Sequence, residues 1–175
     1  MSEIPIEDIQ GDVLTSYRFP KDVEHFHIFH IEDRNSEQLF AVFLILKRVA
    51  VMPVPKTSPI FFNIAFSKEG IDALGLKHSD LGDKHFRDGQ FADATTVLGD
   101  PFVKKNGKKL PDWEDRFVEL ELAHKIHGII LVAGEANSVQ QHSKEIIQAL
   151  AGAASILYYL EGATLLKRDN EHFGW

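Results

Sequence analysis

The chain has 175 residues, with 26 acidic and 19 basic side chains and a formal net charge of -7. This negative charge opposes binding to phosphate backbones, so we expect no nucleic-acid partner. The sequence contains no cysteine, which excludes disulfides, thiolate metal sites and thiol nucleophiles. Hydrophobic residues make up 44% of the chain, which is enough for one compact α+β domain.

The chain opens with MSEIPIEDIQ. It carries acidic residues where a secretory signal would have basic residues followed by an apolar run. Nowhere does the sequence contain about 18 consecutive apolar residues, the length that a membrane-spanning helix needs. We therefore expect a cytoplasmic protein with no membrane partner.

Four segments rich in aromatic and β-branched residues predict strands, at residues 25–31, 60–66, 126–132 and 156–161. Side chains alternate along a strand. His25 and His27 should therefore share one face of the first strand, and His30 should lie on the other. Neither face of this strand is wholly polar.

Helical spacing of apolar residues predicts one helix over residues 36–49 and another that follows Ser138, with an apolar stripe from Val139 to Ala154. Ser67 should cap a short helix that ends at Gly75. The resulting order is strand, helix, strand, long excursion, strand, helix, strand. This order predicts a ferredoxin-like fold, a four-stranded antiparallel sheet with both main helices on one face.

We expect a single domain over residues 1–175, with an amino-terminal arm at 1–24 and a long polar excursion at 77–118. An excursion of this length usually packs on something. The strands carry apolar residues on both faces, so the sheet face without helices needs a cover. A second copy of the chain is the simplest cover, which predicts a homodimer through the open sheet face.

Short motifs along nearly the whole chain resemble those of fungal dye-decolourising peroxidases. They are IQGDVL at 9–14, NIAFS at 63–67, ALG at 73–75, LGD at 81–83, GQ at 89–90, ADA at 92–94, LGD at 98–100, LEGA at 160–163 and EHFG at 171–174. The resemblance implies a fungal source and a fold of the dimeric α+β-barrel type. In that family two ferredoxin-like halves lie in tandem, and the second half holds most of the haem site.

The same resemblance implies that this chain carries no peroxidase centre. In the family the distal acid follows the His-Phe-Gly segment, whereas here only Trp175 follows Gly174. None of the nine histidines matches the family's haem ligand. We therefore expect no cofactor. A further possibility is haem held between two copies by a different ligand, such as His25 or His127.

Histidines are the candidate catalytic residues, because imidazole titrates near neutral pH. His25 and His27 share a strand face, and the neighbouring strand bears His127. Three imidazoles on one face could bind zinc or iron. Strand register alone does not make them converge, so we predict no metal site.

Single-domain relatives in this superfamily imply a cavity for a small apolar or aromatic molecule. Phe61, Asn63 and Tyr158 are the candidate lining residues, beside the three histidines. The expected function is a haem-free protein that binds or converts such a molecule, as a carrier or as a cyclase, isomerase or lyase. The alternative is a non-catalytic peroxidase half that serves as a structural or interaction module.

The segment His85-Phe86-Arg87-Asp88 places an acid, an imidazole and a cation close together. It could line a pocket under the excursion. The resemblance to dye-decolourising peroxidases implies that this stretch is a surface connection, so the favoured interpretation is solvated surface charge.

Overall fold

The computed structural model describes residues 5, 9, 22–32 and 60–164. Its strands are β1 (Val23–Ile31), β2 (Ile60–Phe66), β3 (Phe102–Lys105), β4 (Lys108–Pro111), β5 (Gly128–Gly134) and β6 (Ala154–Ala163). Its α-helices are α1 (Lys68–Ala73), α2 (Lys84–Asp88), α3 (Gln90–Asp93), α4 (Asp115–Leu122) and α5 (Ala136–Leu150). The predicted helix over 36–49, most of the arm and the carboxyl-terminal loop lie outside the described residues. Among the residues that are described, no helix is long and apolar enough to cross a membrane.

The main sheet has the strand order β2-β5-β1-β6, and every neighbouring pair is antiparallel. The four predicted strands therefore lie in the order second, third, first, fourth. This order is that of a ferredoxin-like sheet, which confirms the predicted fold class. The short strands β3 and β4 form a separate hairpin inside the excursion.

Strand register divides the sheet into a helix face and a far face. His25 pairs with Val132 and His27 with Ile130, which places both histidines on the helix face. The main hydrophobic core lies on this face and contains Phe29, Ile31, Ile60, Phe62, Ile64, Ala73, Ile130, Val132, Val139, Ile146, Leu150, Ala153 and Ala154. The predicted alternation of faces along β1 is therefore confirmed.

Helix α5 covers the helix face with an apolar stripe that includes Val139, Ile146 and Leu150, all buried. The sequence predicted that Ser138 immediately precedes this helix, whereas the N-cap is Glu135. The helix begins as soon as β5 ends because Ala136 is a good helix former. It ends at Leu150, and Ala154 belongs to β6.

Two glycines let α1 and β2 approach the start of β5 closely. A Cβ atom on Gly70 would lie 1.8 Å from the carbonyl oxygen of His127. A Cβ atom on Gly128 would lie 2.4 Å from the carbonyl oxygen of Ala65. The backbone N–H of Ser67 also donates to His127 O at 3.0 Å, and its side chain caps α1 by accepting from Gly70 N, as predicted.

The excursion contains α2, α3, the β3–β4 hairpin and α4, and it reaches the far face of the sheet at β6. The ring of Phe117 on α4 lies 4.8 Å from the ring of Tyr158. The Tyr158 hydroxyl donates to Glu114 Oε2 at 2.5 Å. The excursion thus packs on the sheet, although Leu160, on the same face, is still 42% exposed.

Candidate functional site

A cavity of about 470 Å³ lies between β1, β6 and α5, on the helix face of the sheet. We call it the His27 cavity. Its lining combines apolar side chains with amides and titratable groups: Val23, His25, His27, Ala136, Asn137, Gln140, Ser143, Lys144, Ile147, Ile156, Tyr159 and Glu161. The volume falls within the range of about 300–1,000 Å³ that is common for small-molecule sites.

His27 is the most unusual group in this cavity. Its side chain is only 1% exposed, and neither ring nitrogen has a hydrogen-bond partner in the part of the chain that the structure describes. Burial, helped by the neighbouring His25, lowers the pKa of His27 from 6.5 to about 4. His27 is therefore neutral at pH 7, with one ring nitrogen that can donate and one that can accept.

His25 lies beside His27 and is held by its neighbours. Its Nδ1 is hydrogen-bonded to Ser143 Oγ at 2.9 Å, and the serine is buried on α5. Its Nε2 lies 3.8 Å from Glu161 Oε2. The two imidazoles meet edge to face, with centroids 6.1 Å apart. His25 is therefore oriented by its neighbours, whereas His27 has no hydrogen-bond partner among the described residues.

Tyr159 forms the mouth of the cavity on the β6 side. Its ring lies 5.2 Å from the rings of both His25 and His27. Its hydroxyl donates to Glu161 Oε2 at 3.0 Å. Burial, with this hydrogen bond, raises the pKa of Tyr159 to about 12, so the hydroxyl keeps its proton at neutral pH.

The other predicted site residues lie on the far face. Phe61 and Asn63 pair with Ala133 and Leu131, which are out of phase with the core positions of β5. Tyr158 pairs with Ile28 and contacts α4. These three residues therefore do not line the His27 cavity, and whether they bind a ligand on the far face stays a prediction.

His127 also lies apart from His25 and His27. It stacks on His30, with ring centroids 4.1 Å apart, and its Nδ1 accepts from the backbone N–H of Ile31 at 2.9 Å. The idea of three imidazoles on one face was wrong, because odd-numbered positions of β5 face away from those that pair with His25 and His27. Among the described residues, no three His, Cys, Asp or Glu side chains are placed to share a metal ion.

Sequence reasoning missed Ser143, Tyr159 and Glu161. Register shifts between Ile28 and Phe29 where β1 meets β6, and that irregularity decides which of the adjacent residues Tyr158 and Tyr159 faces the helix. The sequence does not reveal the shift. Ser143, which lies on α5 opposite His25, could have been found from helical spacing, because it lies four residues after Val139 on the buried side.

Comparison with known proteins places this architecture in a family. Residues 8–164 match the family model for the DyP dimeric alpha+beta barrel domain. The chain belongs to that family. The predicted resemblance to dye-decolourising peroxidases is thereby confirmed.

Relatives of this DyP-type domain are larger proteins. It is 30% identical to a dye-decolorizing peroxidase from Mycena epipterygia, over 98% of this chain and 31% of that protein. It is also 30% identical to peroxidase 2 from Mycetinis scorodonius, over 97% of this chain and 32% of that protein. A crystal structure of DyP superposes with a TM-score of 0.77 and 28% identity, over 99% of this chain and 37% of that chain. The chain thus spans about one third of the length of these relatives.

The three candidate histidines His25, His27 and His127 do not have the arrangement expected of a haem ligand. A histidine that binds a metal usually donates its other ring N–H to a partner, and His27 has no such partner in the described residues. His25 directs one nitrogen to Ser143 and the other toward Glu161. His127 is 8% exposed and uses Nδ1 to accept from the backbone.

A second, larger cavity of about 840 Å³ lies between the excursion and α1. It is lined by Ser67, Lys68, Glu69, His85, Phe86, Asp88, Gly89, Gln90, Phe91, Ala92, Asp93, Val97, Leu98, Glu121 and His124. We call it the Glu121 cavity. The interpretation of segment 85–88 as simple solvated charge was incomplete, because three of its four residues line this cavity.

Proposed function

We propose that this DyP-type domain binds a small, uncharged organic molecule in the His27 cavity, without haem. The observation that carries the proposal is the buried His27 side chain, whose two ring nitrogens have no partner in the described residues. A buried polar group without a hydrogen bond costs about 1–3 kcal/mol. A ligand that pairs with His27 would recover part of that free energy on binding.

The cavity favours a compact ligand with an apolar body and one hydroxyl-type group. Apolar contact is available from Val23, Ile147 and Ile156. The charged side chains Lys144 and Glu161 are one of each sign, so they give no net preference for a charged ligand. A phenol or another hydroxylated ring system fits this combination, in keeping with the aromatic metabolite expected from the sequence.

Binding is the primary role that we propose, and catalysis would be a second role of the same cavity. An imidazole with a pKa of about 4 is neutral at pH 7, so His27 lacks the additional proton that a general acid would donate, and it is a weak base. A cyclase, isomerase or lyase reaction would therefore use His25 for proton transfer. The cytoplasmic location, the fungal source and the catalytic role of His127 stay predictions.

The test is a fluorine NMR titration with 4-fluorophenol and with fluorobenzene, which lacks the hydroxyl group. We expect 4-fluorophenol to bind about two- to thirteenfold more tightly, because one hydrogen bond contributes about 0.5–1.5 kcal/mol. The variant His27→Leu should remove this difference. The matched control is His30→Leu, on the same strand but the opposite face, which should retain it. Equal binding of the two probes to the unmodified protein would refute the proposal.

A second candidate function is self-association through the far face of the sheet. On that face Leu160 is 42% exposed, and Phe26, Ile129 and Leu131 are only partly buried. The family's description as a dimeric alpha+beta barrel supports a second copy as the cover. Light scattering after size exclusion should give a dimer for the unmodified protein and a monomer for Leu160→Lys. A monomeric unmodified protein would exclude this function.

A further inference from the structure

The Glu121 cavity has apolar walls that are unusual for a charged excursion. Phe86 is 36% exposed, Val97 60% and Leu98 54%, and all three line the cavity together with Phe91. Exposed apolar groups gathered around a concave surface commonly mark a binding site, whereas single exposed ones do not.

The same cavity carries an excess of negative charge. Its lining contains the four acids Glu69, Asp88, Asp93 and Glu121 and the single lysine Lys68. With both imidazoles neutral, the formal charge is therefore -3. The Lys68 ammonium group is committed elsewhere, since it donates to the backbone oxygen of Asp88 at 2.8 Å and lies 3.8 Å from Glu69.

Glu121 has no hydrogen bond or ion pair of its own among the described residues, although Lys68 and His124 lie near enough to favour its ionised form. Asp93 accepts from His85 at 2.6 Å, and Glu69 accepts from His124 at 3.3 Å, but no hydrogen bond or ion pair joins the Glu121 carboxylate to any other described residue. Partial burial, followed by the charge of Glu69, raises the pKa of Glu121. Burial removes part of the solvation of the ionised carboxylate, and the negative charge of Glu69 repels it.

We propose that the Glu121 cavity binds an apolar amine, with the ammonium group between Glu121 and Glu69 and the apolar body against Phe86 and Phe91. Charge-assisted hydrogen bonds to carboxylates are among the stronger polar contacts, and the faces of aromatic rings also attract cations. A metal ion is a poorer match, because the described residues contain no group of three side chains placed to share one. This site is independent of the His27 cavity and of the function proposed for it.

The probe is tryptamine, titrated into the full chain by isothermal calorimetry at low salt. The comparison ligand is tryptophol, which has the same indole body with a hydroxyl group in place of the amine. We expect tryptamine to bind at least about tenfold more tightly, the ratio given by about 1.4 kcal/mol of charge pairing. Glu121→Gln should reduce tryptamine affinity about tenfold and leave the affinity for tryptophol unchanged.

Two control variants make the test specific. Glu119→Gln removes an exposed acid from the same helix, where Glu119 pairs with Arg116, and should leave tryptamine binding unchanged. His27→Leu should also leave it unchanged, which separates this site from the His27 cavity. Equal affinity for tryptamine and tryptophol would overturn the proposal. An equal loss in Glu119→Gln and Glu121→Gln would do the same, since it would indicate only a general charge effect.

Discussion

At one end of β1, His30 and His127 stack with their ring centroids 4.1 Å apart. His127 accepts from the N–H of Ile31, and His30 donates to the carbonyl oxygen of Lys125. At the other end, His25 and His27 lie on the opposite face beside a cavity, and His27 has no hydrogen bond at either nitrogen within the described residues. Histidine side chains therefore hydrogen-bond to backbone groups at one end of the strand. At the other end, the buried His27 has no hydrogen bond within the described residues.

This difference shows how hydrogen-bond satisfaction separates structural histidines from candidate binding residues. A paired imidazole gains little from a ligand, because its polar groups are already satisfied. An unpaired buried imidazole destabilises the free protein and gains from a ligand. Stability and binding should therefore respond in opposite directions when the two ends of β1 are altered.

The largest effect should come from the close packing around His127. Gly70→Ala would place a Cβ atom 1.8 Å from the carbonyl oxygen of His127, which forces α1 away from β5. We expect a loss of more than about 3 kcal/mol in the free energy of unfolding, measured by urea denaturation. Gly82→Ala is the control, because no atom lies within 4 Å of its added Cβ, and its stability should change little. A Gly70→Ala protein as stable as this control would show that the His127 end is not tightly packed.

The next largest effect is the change in stability with pH that arises from His27. Because the pKa of His27 is lowered from 6.5 to about 4, the unfolded chain takes up its proton before the folded chain does. His27 should therefore lower stability by about 2–3 kcal/mol as pH falls from about 6.5 to about 4, and have no such effect above pH 7.

The measurement is the free energy of unfolding against pH for the unmodified protein and for His27→Leu. The difference between the two curves isolates His27, since the other histidines are common to both proteins. At pH 7 the variant should be at least as stable as the unmodified protein, because it removes an unpaired polar group. Parallel curves down to pH 4 would mean that His27 is not desolvated.

A smaller effect is expected for the paired histidine. His127→Leu leaves the buried N–H of Ile31 without its acceptor, which should cost about 1–3 kcal/mol at pH 7. Thermal denaturation of His127→Leu and His27→Leu should therefore give opposite shifts in Tm. If both variants lost stability equally, the contrast between the two ends of β1 would fail.

The smallest effect should come from the mouth of the His27 cavity. Tyr159→Phe removes a hydroxyl that donates to an exposed Glu161 carboxylate. We expect less than about 0.5 kcal/mol of lost stability, because both groups can bond to water instead. The affinity of Tyr159→Phe for 4-fluorophenol should also stay within about twofold of that of the unmodified protein. A loss of affinity as large as that of His27→Leu would indicate that Tyr159, and not only His27, binds the phenol.

Much of this arrangement is predictable from sequence patterns. The alternation along residues 25–31 predicts that His25 and His27 share one face of the strand, and the strand order follows from the order of elements. The partners of these histidines are harder to predict, because the register of β6 depends on an irregularity at Ile28 and Phe29. Which face of the sheet His127 lies on depends on the register of β5 against β1. Its hydrogen bond with Ile31 depends on the residue at which β5 starts.

The Glu121 cavity is harder still to predict, because its walls come from separate short helices in the excursion. Residues 85–93 and Glu121 have no local pattern that brings them together. Their proximity follows from how α1, α2, α3 and α4 pack. The sequence predicts only that an excursion of this length packs on something.

The central claim is that His27 is a neutral imidazole, without a hydrogen-bond partner in the described part of the chain, that binds a ligand. Histidine labelled with ¹⁵N allows a direct measurement of its ring shifts against pH, with and without 4-fluorophenol, assigned by comparison with His27→Leu. The account predicts that His27 stays neutral down to about pH 5 and that its ring nitrogen shifts move when the phenol is added. Titration of His27 near pH 6.5, together with ring nitrogen shifts that do not change when the phenol is added, would contradict the account.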